Sequence, residues 1–276
     1  DKSFAIDPYN LRAYNQMQLL DTLMKFSVKE SKMRLFPGSD QPAFIIRYDP
    51  KDEILADMAV GWLEKVRPEV MAYYHVSRLA VPTQIEMFPN HDEFGVRTTG
   101  LPWIGTVGAC TGNVIAMDVP RGGGASQMGP FDWARVLRHE FTHTVTLSMT
   151  LNRIPHWLTE AAACEQEQAP RDWENCLLLA SNYRAGTLFK LSDLNWGFIR
   201  PKRTIDRQLA YMQSQWIYEF LVDTYGLPKM LTFLQCFHDG LTEAQAWQKN
   251  YGLSMEAMDA KFLAWARKQL ASWGLP

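Results

Sequence analysis

The apolar positions of the chain change period near its middle. Leu11, Tyr14, Met17, Leu20, Leu23 and Met24 recur at helical spacing, which predicts a helix over residues 8–35. AFIIRYD (43–49) has the β-branched and aromatic content of a strand. A helix follows from about Asp52 to Tyr74, with Leu55, Met58, Ala59, Trp62, Leu63 and Val66 on one side. TQIEMFP (83–89) reads as a second strand, and HDEFGVRTT as a short helix opened by an Asn90 cap. Residues 104–120 read as two short strands turning at Thr111-Gly112-Asn113. RGGGASQMGP (121–130) reads as a loop near the cleft entrance, a candidate lid; it lacks the spacing and the G-K-S/T of a phosphate loop. From about Phe131 helical periodicity dominates to the end, broken at Pro155, Pro170, Gly186, Gly197, Pro201, Gly226, Pro228, Gly240 and Gly252.

Strands mixed with helices, then helices alone, predict an α+β fold. The expected organisation is a helical lead-in over 1–40, a mixed subdomain over 41–150 and a helical subdomain over 151–276. Of the 276 residues, 47% are apolar, so a sizeable core is available and disorder is excluded as the dominant state. Lys and Arg number 28 against 30 Asp and Glu, a net charge of −2 without the basic surplus of a nucleic-acid binder. No apolar run is long enough to span a bilayer. The chain opens on DKSFAIDPYN, with neither an initiator Met nor a basic-then-apolar leader. The expectation is a mature or trimmed fragment of an extracytoplasmic protein, periplasmic or secreted, with its signal outside this sequence. Cys110, Cys164, Cys176 and Cys236 show no C-x-x-C spacing, which argues against a cysteine-built zinc site. Buried free thiols are the leading reading of these four, with a Cys164–Cys176 disulfide as the alternative.

His139-Glu140-Phe141-Thr142-His143 fits H-E-x-x-H. On a helix the two His lie one turn apart on the same face, where two imidazole nitrogens can meet one Zn²⁺ ion. Glu140 projects beside them and can act as general base toward water. The helical context is present in Trp133, Val136, Leu137, Phe141, Val145 and Leu147, with Asp132 placed to cap the start. A catalytic zinc wants a third protein ligand. Asn152-Arg153-Ile154-Pro155 ends the first helix, and Pro155 is suited to open the next, HWLTEAAACEQEQ. A tight turn and one turn of that helix bring Glu160 back toward the pair. Glu165 and Glu167 lie further along it, and His156, a turn earlier, is a rival ligand. Met149 stands where the metzincin pattern needs its third His.

VLRHEFTHTVT…PHWLTEAAA resembles the gluzincin zinc metallopeptidases, in particular the peptidase MA-like group, which carry H-E-x-x-H and then W-L-x-E-G-x-A. The likeness extends over about residues 80–276. It implies a zincin-like fold with the active-site helix between a mixed and a helical part. His139, His143 and Glu160 become the zinc ligands and Glu140 the base. Two positions depart from the pattern: Ala161 replaces the usual Gly, and Cys164 stands where thermolysin-like enzymes place an Asp that orients a His ligand. In that group the strand before the metal helix is an exposed edge. The resemblance therefore puts Val114, Ile115, Ala116 and Met117 along the cleft, where a peptide substrate adds as an extra strand; a strand without substrate contact is the competing reading. A Tyr or His often assists the oxyanion in such enzymes, and Tyr211 is the candidate, with Tyr183 and His238 as alternatives and a purely structural Tyr as the competing reading. No G-x-M-E-N-like exopeptidase motif precedes the helix, so the expectation is an endopeptidase acting on peptide or protein. A zincin scaffold kept as a non-catalytic protein-binding module is the rival function, and packed, metal-free histidines are the third. DPYNLRAYN resembles the opening of a tetratricopeptide helix, which implies an upstream repeat array.

Overall fold

The computed structural model describes residue 7 and residues 9–102, 104–121 and 129–275. Among these are eleven α-helices and five strands, an α+β architecture. The chain divides into two compact units, Asp1–Val145 and Thr146–Pro276. The segment read as a lid lies, for residues 122–128, outside the described residues.

In the first unit, α1 (Leu11–Lys25) starts at Asn10, whose Oδ1 accepts from the Ala13 amide at 3.0 Å. The helix expected over 8–35 stops ten residues early. Phe26 turns extended, and β1 (Ser27–Glu30) pairs antiparallel with β2 (Phe44–Tyr48). The ladder offers Ser27–Glu30 main-chain partners from a distant segment, and that pairing overrides a local helical period. The apolar face of α1 also differs from its reading: Asn15 and Leu19 are buried, whereas Leu11, Tyr14, Leu20 and Met24 are exposed.

Beyond β2, α2 (Glu53–Tyr73) carries the chain to β3 (Thr83–Phe88), which pairs parallel with β2, as a crossover helix requires. Next come α3 (His91–Thr99), capped by Asn90 as the sequence predicts, then β4 (Gly108–Cys110) and β5 (Val114–Asp118). The sheet order is β1-β2-β3-β5-β4. Ile46, Ile85 and Ile115 stand in register across three strands, each fully buried. By strand alternation Phe88 and Ala116 face the other side. There they join Leu19, Phe94 and Val96 in a second apolar cluster. Both faces of the sheet are therefore covered. The approach to β4 is pinned as well. His91 Nε2 lies 2.7 Å from the Ile104 carbonyl, its Nδ1 lies 3.1 Å from Asp118 Oδ2, and the Asp118 amide donates to Val107.

The last helix to begin in this unit, α4 (Trp133–Met149), is continuous across the division. The second unit holds α5 (His156–Gln166), α6 (Trp173–Arg184), α7 (Leu194–Ile199), α8 (Asp206–Tyr225), α9 (Leu227–His238), α10 (Glu243–Tyr251) and α11 (Met255–Ser272). Three of its tryptophans are core: Trp157, Trp216 and Trp247 are fully buried, and Trp216 packs on Phe262, Trp265 and Trp273, whereas Trp173 and Trp196 are exposed. Gly197 of α7 touches α8 so closely that a Cβ there would sit 2.7 Å from Ala210 Cβ.

Asp259 of α11 accepts from the Leu191 amide at 3.1 and 3.3 Å, and burial pushes its carboxyl up to about 6. A carboxyl with a raised folded pKa favours folding fully below its ordinary value of 3.8, and that contribution is lost as pH rises through about 6. Asp259→Asn keeps an oxygen for the Leu191 N–H and removes the buried charge. Thermal unfolding followed by circular dichroism is expected to show the variant melting a few degrees above wild type at pH 8, with the difference gone near pH 4.

Candidate metal centre

Helix α4 forms around a stripe of Leu137, Phe141 and Val145, four residues apart and all fully buried. Phe141 meets Phe44 of β2 edge-on, with centroids 5.5 Å apart. Asp132 caps the start, its Oδ1 accepting from the Arg135 amide at 3.0 Å. Two ties fix the helix against α2: Trp62 Nε1 donates to the Ala134 carbonyl at 2.8 Å, and Arg138 meets Glu69 at 2.6 Å. With its apolar stripe and its start fixed in this way, α4 has a set rotation about its own axis.

One helical turn apart on this helix, His139 and His143 lie side by side. Their Nε2 atoms lie 3.2 Å apart and the rings meet edge to face at 78°. Two nitrogens each 2.0–2.1 Å from a tetrahedral ion stand about 3.3 Å apart, so the pair already has ligand spacing. His139, His143 and Glu160 each offer one ligand atom, all within 4.8 Å of one another. Two imidazoles and a carboxylate make a donor set that suits zinc. A second set, His139, Cys164 and Glu167, meets the same distance criterion. His156, the rival ligand, belongs to neither. Glu165 is engaged elsewhere: burial raises its carboxyl, the Glu219 charge raises it further, and Arg171 opposes both.

The α4–α5 turn is built by unusual backbone. Leu151 and Asn152 both take positive φ, 53° and 59°, and the Asn152 amide closes onto the Leu147 carbonyl at 2.8 Å. Two adjacent non-glycine residues in this region reverse the chain within a few residues, at a cost of ~1–3 kcal/mol each. Arg153 anchors the turn by donating to the His238 carbonyl, and Thr146 bonds Thr159 across the two helices at 2.9 Å.

Glu140 is buried and lies beside β4. A Cβ on Gly108 would come 2.7 Å from Glu140 Oε1 and 2.8 Å from Val136 Cγ1, so only glycine allows this approach. Two residues on, Cys110 Sγ lies 3.5 Å from Thr144 Oγ1. Burial pushes the Cys110 thiol up to about 12, and the Glu140 charge adds to the rise against the Thr144 hydrogen bond. Cys110 is thus held as the neutral thiol, the less nucleophilic form. The sequence reading passed over Gly108 and took Cys110 only as one of four thiols, although the strand-turn-strand at 108–118 was legible. None of the four cysteines is in a disulfide, so the Cys164–Cys176 alternative is not formed.

The reading of Val114, Ile115, Ala116 and Met117 as an open edge is corrected. β5 is interior: β3 pairs along one side and β4 along the other, with Ile115 opposite both Ile85 and Cys110. Its main-chain groups are already used in two ladders, so an added strand has nothing to pair with there. The outer strand on this side is β4. Tyr211 of α8 is half-buried, with its ring edge-on to Phe198 at 4.9 Å. Its alternatives are occupied elsewhere. Tyr183 donates to the Leu263 carbonyl, and His238 lies at the exposed end of α9 beside Asp239.

Residues 80–268 match the sequence model of the Peptidase MA superfamily, well over half of the chain. No curated protein matches the chain. No helix among the described residues is long and apolar enough to cross a membrane. Equilibrium dialysis of chelator-treated protein against zinc is expected to give one equivalent bound to wild type, and less than a tenth of one to His143→Ala under the same conditions.

Proposed function

The chain belongs to the Peptidase MA superfamily, and from that premise we propose that it is a zinc-dependent metallopeptidase of the gluzincin type, acting as an endopeptidase. The observation that carries this reading is the convergence of His139, His143 and Glu160 within 4.8 Å, with Glu140 buried on the same helical turn as His139. In the proposal His139 and His143, as neutral imidazoles, and Glu160, as carboxylate, hold the ion. A bound zinc supplies Lewis acidity, which acidifies water and polarises a carbonyl. Glu140 takes the proton of the attacking water and delivers it to the leaving amine, so that no free amide anion forms. Its burial beside Gly108 gives it one position from which to do both. The Tyr211 hydroxyl, on a ring steadied by Phe198, donates to the oxygen on which charge develops.

The substrate's main chain is assigned to the outer side of β4. This strand packs against Glu140 at Gly108, and its far edge carries no further strand among the described residues. An extended peptide laid there would have its backbone read by Gly108–Cys110.

Glu140→Gln tests the mechanism. It is expected to retain one equivalent of zinc while kcat on a cleaved peptide falls by roughly 10²–10⁴-fold; full activity in this variant would overturn the proposal. A second variant, Gly108→Ala, drives a methyl into the space of Glu140 Oε1. Steady-state kinetics are expected to show a loss on the order of 10²-fold in kcat/KM with zinc content unchanged, because a displacement of about 1 Å is enough to misplace a base.

A further inference from the structure

His156 is absent from both sets of residues that could hold an ion, yet it touches one of them. It is the first residue of α5, four before Glu160 and on the same helical face. Its Nε2 lies 3.5 Å from Glu160 Oε1. One side of the half-exposed imidazole is covered, its ring standing edge to face on Phe198 with centroids 4.9 Å apart at 88°. Phe198 is buried and is backed in turn by Tyr211 at 4.9 Å. The backbone under His156 is fixed as well. Leu158 and Thr159 donate to the Pro155 carbonyl at 3.1 Å, and the Trp157 amide donates to Asn195 Oδ1 at 2.9 Å. Trp157 Nε1 donates to Glu243 at 2.8 Å, which anchors this first turn at a further point.

A carboxylate that binds an ion through one oxygen needs its other oxygen held, or it rotates between binding modes. One turn after Glu160 the chain carries Cys164, whose thiol is a weak hydrogen-bonding group. One turn before it stands an imidazole already in place. We infer that His156 is a positioning residue for Glu160: its ring N–H engages Oε1, selects one rotamer of the carboxylate and leaves the remaining oxygen to the ion. This rests on the metal-binding role proposed for Glu160. It also assigns His156 a role other than that of rival ligand.

The test measures zinc affinity by competition with a chromophoric chelator, and the visible spectrum of the cobalt-loaded protein, for wild type, His156→Phe and His156→Gln. Phe keeps the ring against Phe198 and removes the N–H; Gln restores a donor. His156→Phe is expected to bind zinc 10- to 100-fold more weakly and to shift the cobalt bands, and His156→Gln to recover most of both, with apo-protein melting within a degree or so of wild type. Zinc affinity within about twofold of wild type and an unchanged cobalt spectrum in His156→Phe would overturn the role of His156 alone. Failure of wild type itself to bind zinc would overturn the metal-binding reading, and this inference with it.

Discussion

Two imidazole nitrogens 3.2 Å apart on a single helical turn set the terms for the structure around them. Neutral rings in that arrangement can share at most one proton, so the pair is comfortable only as one donor facing one acceptor, or as two lone pairs facing a cation. Both rings ride on α4, so their spacing comes from helical geometry, and what depends on holding the helix against rotation is the direction they face; a turn of the helix would also carry Glu140 away from Gly108. The apolar stripe of Leu137, Phe141 and Val145 supplies most of that resistance through burial. The indole of Trp62 and the guanidinium of Arg138 supply direction rather than energy. The core on one side of the helix thus exists in the geometry that the polar side requires.

The α4–α5 turn shows the same logic in the backbone. Two successive left-handed residues are an expensive way to reverse a chain, and a glycine would lower the cost. Retaining Leu151 and Asn152 there, with Arg153 pinned to the His238 carbonyl and Thr146 joined to Thr159, gives a return path with few alternatives. Glu160 inherits that definition. A carboxylate on a looser hairpin would sample many positions, and an ion site built from it would have to order the hairpin as it bound.

Much of this was legible in the chain. H-E-x-x-H declares its own geometry, because four residues on a helix is a distance as well as a spacing. Asn90 and Asp132 announce helix starts through chemistry confined to three residues. The same locality explains the failures. Ser27–Glu30 follows directly on a helical period but lies beside β2, and nothing within ten residues says so. The strand pair around Thr111-Gly112-Asn113 was readable as a hairpin, yet which member faces outward depends on β3, reached through α3 and a long loop. Glu167 was ranked low as a ligand by its distance along the chain. Its three-residue spacing from Cys164, about one helical turn, was the signal that could have raised it to the second set with His139 and Cys164.

Gly108 has a consequence for discrimination. On the proposed reading, a position that must stay bare beside Glu140 offers an incoming chain amide and carbonyl groups and nothing more. Such a rail measures whether a chain is extended and is indifferent to what that chain bears at the point of scission. On the proposed reading, selectivity would therefore be written at some remove from the cut, by walls that meet flanking residues. A natural or engineered change in preference would leave position 108 silent and alter those walls instead.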